Sequence, residues 1–146
     1  MDVSLENLDE YAEGFVTGLP QQLGTQAYVV GLQGELGAGK TTFVQAVAKA
    51  LGVQESVTSP TFVIAQKYKT SHPVFSHLVH IDAYRLEDET KDTFGFQEYR
   101  KDPRNLMLVE WPTIVSYMIR LSDFDSVLTF ETVDETTRAL TYAQEN

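Results

Sequence analysis

The stretch Gly34-Glu35-Leu36-Gly37-Ala38-Gly39-Lys40-Thr41 satisfies the pattern G-x-x-x-x-G-K-[ST], the phosphate-cradling P-loop. Glycines let successive backbone N–H groups turn toward phosphate oxygens, and a helix beginning just after them adds the positive end of its dipole. In that arrangement Lys40 bridges the β- and γ-phosphates and the Thr41 hydroxyl ligates Mg²⁺. At average residue frequencies the four fixed positions arise by chance at about the half-percent level in a chain of this length.

The flanks supply the context the motif requires. Upstream, Ala27-Tyr28-Val29-Val30-Gly31-Leu32 is apolar without alternation, as in a strand buried on both faces of a parallel sheet. Downstream, Lys40–Leu51 carries Phe43, Val47, Ala50 and Leu51 on one helical stripe, with Gly52 at the terminating position. Farther out, residues 5–19 show helical spacing, and 61–68 and 77–82 read as a hairpin. Residues 87–100 read as a short helix interrupted at Gly95, and 114–121 as another helix. Leu106–Val109 reads as a central strand, and 127–130 with 138–143 as a closing hairpin. No repeat, linker or low-complexity stretch divides the chain. The expectation is one domain, residues 1–146, of α/β class. It is P-loop NTPase-like, with a mixed, mainly parallel central sheet, flanking helices and antiparallel hairpins.

Composition agrees. The chain has 146 residues, 42% hydrophobic and 22% charged, with a net charge of −10 and no cysteine. That excludes disulfides, thiolate metal sites and thiol catalysis, and fits a cytoplasmic address. No apolar run approaches the ~20 residues of a membrane span, and Met1–Glu6 lacks the basic-then-apolar pattern of a secretory leader. Acids concentrate at the ends: residues 1–13 hold five and no base, and residues 121–146 hold six against Arg138. Such ends keep a small protein soluble or dock on a basic partner. With no Lys/Arg stripe, the chain is a poor candidate for gripping nucleic acid by itself.

A P-loop magnesium usually needs a carboxylate at the end of a neighbouring strand. Two are available: Asp82, after His77-Leu78-Val79-His80-Ile81, and Glu110, after Leu106-Met107-Leu108-Val109. The two histidines make the first strand read as half exposed, whereas the second is uniformly apolar and fits a place beside the P-loop strand. Glu110 is therefore assigned to the metal with Thr41, and Asp82 to orienting or deprotonating the attacking water. His80 reads as a structural histidine or as one that positions the adjoining loop. The chain contains no Asn-Lys-x-Asp guanine-reading segment, so ATP is favoured over GTP.

Four segments taken in order, Gly34–Thr42, Ser59-Pro60-Thr61-Phe62, His80-Ile81-Asp82-Ala83-Tyr84-Arg85 and Val109-Glu110-Trp111, resemble the motifs of the TsaE (YjeE) family. These are bacterial P-loop ATPases of tRNA threonylcarbamoyladenosine formation. The resemblance implies ATP and Mg²⁺ as cofactors and a TsaB–TsaD complex as partner, with tRNA reached indirectly through it. Residue by residue it implies that Lys40 and Asp82 are catalytic, that Thr41 and Glu110 hold the metal, and that Ser59-Pro60-Thr61 is a switch segment. Nucleotide contacts fall on Gly34, Glu35, Leu36, Gly37, Ala38, Gly39, Lys40, Thr41 and Thr42, with Trp111 beside the site. Asn7 stands where the family has a threonine near the adenine. Glu35 replaces an aspartate usual in the family, and Lys91 occupies a leucine slot. Two other readings use the same cradle: a small-molecule kinase, and a nucleotide-dependent interaction switch without significant turnover. Five arginines and no lid-like insertion speak against the kinase, and few transition-state cations predict slow turnover by the isolated chain.

Overall fold

Phe43 is the centre of the packing. In the computed structural model its ring meets Phe15 at 5.4 Å and Phe130 at 5.6 Å, both edge-on, and Tyr11 at 6.1 Å. The structure describes residues 2–34, 39–57, 65–82, 96–111 and 124–144. They form strands β1 (Asp2–Ser4), β2 (Tyr28–Gln33), β3 (Ala65–Lys69), β4 (His77–Asp82), β5 (Asn105–Trp111), β6 (Ser126–Thr132) and β7 (Thr137–Gln144). The helices are α1 (Leu8–Thr17), α2 (Lys40–Ala50) and α3 (Phe96–Arg100).

All seven strands join one sheet in the order β1-β7-β6-β2-β5-β4-β3. The four central strands run parallel, through the pairings β6·β2, β2·β5 and β5·β4. Antiparallel partners close both margins: β3 on β4, β7 on β6 and β1 on β7. This is the mixed α/β sheet expected from the sequence, with β2 and β5 adjacent at its centre.

Each central strand is apolar on both faces because each face meets its own core. Val30, Leu32, Leu78, Leu106, Leu108 and Leu128 face α1 and α2. Val29, Val79, Ile81, Met107, Val109 and Val127 line the opposite face with Phe124 and, partly buried, Tyr99. β4 departs from the expectation of a half-exposed strand, because Leu78, Val79, His80 and Ile81 have no solvent exposure. The two histidines misled the reading: His77 opens the strand, while His80 is buried against a charged partner from β5.

The helix expected over residues 5–19 begins later. β1 and a 3₁₀ turn at Leu5–Asn7 come first, and the α-helix proper starts at Leu8. β1 pairs with β7, a long-range contact that local periodicity does not reveal. α2 ends as predicted, with Gly52 at φ +83°; a Cβ there would also lie 1.9 Å from the Ser71 hydroxyl, so only glycine fits. Ser71 in turn donates its N–H to the Leu51 carbonyl at 3.0 Å, clasping the end of α2 to the β3–β4 connection. The helix expected at 114–121 and most of that expected at 87–100 lie outside the described residues; of the latter, α3 is seen. Among the described residues no helix is long and apolar enough to cross a membrane.

Candidate functional site

The C-terminal ends of β2 and β5 and the N-terminus of α2 converge on one point. This is where open parallel sheets bind ligands, because helix dipoles and unpaired backbone groups meet there. Gly34 follows β2 directly, and Gly39 precedes α2 with φ +95°, the left-handed conformation glycine adopts without cost. As the residue before the first helical turn, it leaves the first amides of α2 without partners inside the helix.

Lys40 is the first residue of α2 and only 3% exposed, and its ammonium donates to the Gly34 carbonyl. The contact spans the bend, fixing the cation between its two ends. Burying an ammonium is costly unless it is hydrogen-bonded, and the Gly34 oxygen supplies that bond here. Thr41, the next residue, lies with its hydroxyl oxygen 3.1 Å from Glu110 Oε1 and 3.0 Å from Oε2. The carboxylate can only accept, so the Thr41 hydroxyl donates.

Glu110 sits near the end of β5, in register with Leu32 of β2 on one side and Asp82 of β4 on the other. It is 5% exposed, and alternation along the strand puts it on the α2 face with Leu106 and Leu108. His80 reaches it diagonally. His80 is in register with Leu108, two residues before Glu110, and its Nε2 donates to Glu110 Oε2. A ring nitrogen facing a carboxylate oxygen must carry the proton, which sets the tautomer at Nε2. His80 Nδ1 has no hydrogen-bond partner among the described residues.

A cavity of about 150 Å³ adjoins this point, walled by Ser4, Leu8, Gly39, Thr42, Phe130 and Arg138 among others. At ~30 Å³ per water it would hold about five. Arg138 of β7 lies over Gly39: a Cβ on Gly39 would stand 3.8 Å from its Cγ and Nε. The guanidinium donates to the Asp134 carbonyl at 2.7 Å and the Thr137 carbonyl at 3.1 Å.

Of the residues expected from the sequence, the structure brings Gly34, Gly39, Lys40, Thr41 and Glu110 together and puts Thr42 on the cavity wall. Asn7 does not line that cavity. Its Oδ1 accepts from the Ser4 amide at 2.7 Å and the Ser4 hydroxyl at 3.0 Å, capping the 3₁₀ turn. For Asp82 and Trp111 the backbone is described, Asp82 opposite Glu110 and Trp111 opposite Gln33. Glu35, Leu36, Gly37 and Ala38, the Ser59-Pro60-Thr61 segment and Arg85 lie outside the described residues. From the sequence, His80 reads as a structural histidine or as one that positions the adjoining loop; Glu110 is not foreseen as its partner, and Arg138 is not singled out as a site member. Nothing local marks Arg138, which arrives through the fold of β7.

The sequence model of the family described as "Threonylcarbamoyl adenosine biosynthesis protein TsaE" matches residues 5–140. The tRNA threonylcarbamoyladenosine biosynthesis protein TsaE from Aquifex aeolicus is 39% identical over 112 residues, covering 75% of this chain and 72% of its own. The one from Bacillus subtilis is 42% identical over 87 residues, covering 60% of this chain. The chain thus spans about half, 52%, of that relative's length. Among solved structures, Bacillus subtilis YdiB superposes with a TM-score of 0.62 over 99% of this chain and 84% of its own, at 22% identity, which speaks to the fold alone. With two thirds or more of a relative matched, and the family model running from the first 3₁₀ turn into β7, the chain belongs to the TsaE family.

Proposed function

We propose that this chain is a magnesium-dependent ATP-binding and slowly ATP-hydrolysing component of the machinery that forms threonylcarbamoyladenosine in tRNA, working with TsaB and TsaD. The place in tRNA modification is supported by the names of its relatives. The observation that carries the nucleotide chemistry is the juxtaposition of Thr41 and Glu110 at 3.0–3.1 Å beside a buried lysine.

The donor set fits magnesium. A hydroxyl and a carboxylate are hard oxygen ligands, and Mg²⁺ commonly takes one or two such protein groups and fills the rest of its octahedron with water and phosphate. No group of three His, Cys, Asp or Glu residues among the described residues offers a protein-only cage, which agrees with a cation that arrives with its nucleotide. When bound, the metal would neutralise charge building on the β- and γ-oxygens. Lys40 would exchange the Gly34 carbonyl for a phosphate oxygen, a charge-assisted bond stronger than the one it gives up. The helix N-terminus behind Gly39 would hold the phosphates in line. Asp82, opposite Glu110 in the sheet, is the carboxylate we assign to orienting the attacking water.

Calorimetric titration with ATP and GTP, each with Mg²⁺ and with EDTA, tests the site: ATP should bind, and more tightly with the metal. Phosphate release, with and without TsaB and TsaD, tests the role. The isolated chain should turn over far below the ~1–100 per second of kinases, and the pair should accelerate it. Absence of ATP binding, or a phosphorylated metabolite in place of free phosphate, overturns the proposal.

A further inference from the structure

His80 has a position that core packing does not explain. It is completely buried in β4 between Leu78 and Ile81, where an aliphatic side chain would fill the space without desolvating an imidazole. Burying a polar ring is costly unless it is hydrogen-bonded. Here the bond goes to Glu110 Oε2. His80 comes from the neighbouring strand, two register steps back from the strand end, and so approaches the carboxylate from behind, away from the bend that Lys40 closes.

We infer that His80 is a positioning residue: its Nε2–H fixes the rotation of the Glu110 carboxylate so that an oxygen stays turned toward Thr41 and the metal position. This rests on the nucleotide reading above. A glutamate's terminal torsion is broad and nearly unrestrained, and ordering the side chain costs rotamer entropy. His80 is held on a strand paired on both sides, so its ring is a fixed donor that meets this cost in advance. Both carboxylate oxygens stand at the Thr41 hydroxyl, Oε1 at 3.1 Å and Oε2 at 3.0 Å, and the bond from His80 to Oε2 fixes the torsion that sets where Oε1 points. Outer contacts of this kind orient metal-binding carboxylates in many sites, and losing one typically costs 10–100-fold in metal affinity.

The test compares the purified full chain with His80→Leu, which fills the space but cannot donate, and His80→Gln, whose amide nitrogen reaches about as far as Nε2. A non-hydrolysable ATP analogue is titrated by calorimetry in Mg²⁺ and in EDTA, and the ratio of the two affinities is read. We expect His80→Leu to lower the ratio about tenfold or more while the EDTA affinity stays within about twofold, and His80→Gln to restore most of it. An unchanged ratio, an equal fall in both affinities, or a Gln variant as impaired as Leu overturns the inference and leaves the nucleotide site standing. A parent chain that binds the analogue equally with and without metal overturns both. Should His80→Leu melt below the assay temperature, His80→Asn, one bond shorter than Gln, carries the same comparison.

Discussion

The Thr41 hydroxyl lies 3.0 and 3.1 Å from the two oxygens of Glu110, joining the first turn of α2 to the end of β5 across 69 residues of sequence. A single hydroxyl hydrogen is shared between two acceptors, so the contact is directional toward the carboxylate as a whole. It closes the site from the protein side alone. A hydroxyl that donates to a carboxylate keeps its own lone pairs for a cation, so the same contact suits the metal-bound state.

That dual use separates two substitutions. Thr41→Ser keeps the hydroxyl and should retain metal-dependent nucleotide affinity. Thr41→Val keeps the shape and removes the donor. It should lose most of the gain in affinity that Mg²⁺ provides and destabilise the chain by about 1–3 kcal/mol, as expected for losing a hydrogen bond to a charged group. Calorimetry in Mg²⁺ and EDTA reads the first effect and urea unfolding the second.

Lys40 is a buried cation whose ammonium donates to the Gly34 carbonyl. Lys40→Ala removes that cation together with its desolvation cost, so the loss should fall more on nucleotide affinity than on stability. Nucleotide affinity should fall about 10–100-fold, the worth of one charge-assisted hydrogen bond. A melting temperature near the parent's combined with that loss is the expected pair of results. A collapse of the fold would mean that the lysine, rather than the glycines, holds the bend in shape.

The P-loop, its helix and its strand were legible because they are local: residues 27–52 carry the strand, the glycines and the apolar stripe within one window. Glu110 was legible for a related reason, since Leu106–Val109 is too apolar to sit anywhere but the middle of the sheet, and the register of β2 with β5 bears that out. What escaped was long-range. His80 looked like a mark of exposure because its partner is 30 residues away. Arg138 lines a cavity with Gly39 only because β7 folds back beside β6 and β1. β1 was invisible because three residues carry no period, and its pairing with Arg138, Thr137 and Ala139 exists only in the folded sheet.

Phe43 is the place where helix, site and sheet are mechanically joined. It lies two residues beyond Thr41, fully buried, with edge-on contacts to Phe15 and Phe130. Phe43→Ala should cost about 3–5 kcal/mol, from lost transfer free energy plus the cavity left behind, and Phe43→Leu less. Denaturant unfolding should show a lower midpoint with an unchanged slope. Because the cavity opens under the first turn of α2, the alanine variant should also bind nucleotide more weakly than its stability loss alone would explain.

The β3–β4 connection makes stability depend on pH. His72 Nδ1 accepts from the Val74 and Phe75 amides, each at 3.1 Å, while the ring stacks on Phe75 at 5.7 Å. Burial pushes the His72 pKa below its usual 6.5, in the direction that two amide donors to the unprotonated nitrogen also demand. A group whose folded pKa is depressed binds its proton more readily in the unfolded chain. Its contribution is therefore complete above about pH 6.5 and declines as acid protonates the unfolded state first. His77 shifts the same way, chiefly through burial and then through Lys67, so the two reinforce each other. His72→Asn offers an amide oxygen near the Nδ1 position but cannot titrate. Its unfolding free energy should fall less steeply between pH 7 and about 5 than the parent's, and parallel curves would show that the ring accepts nothing there.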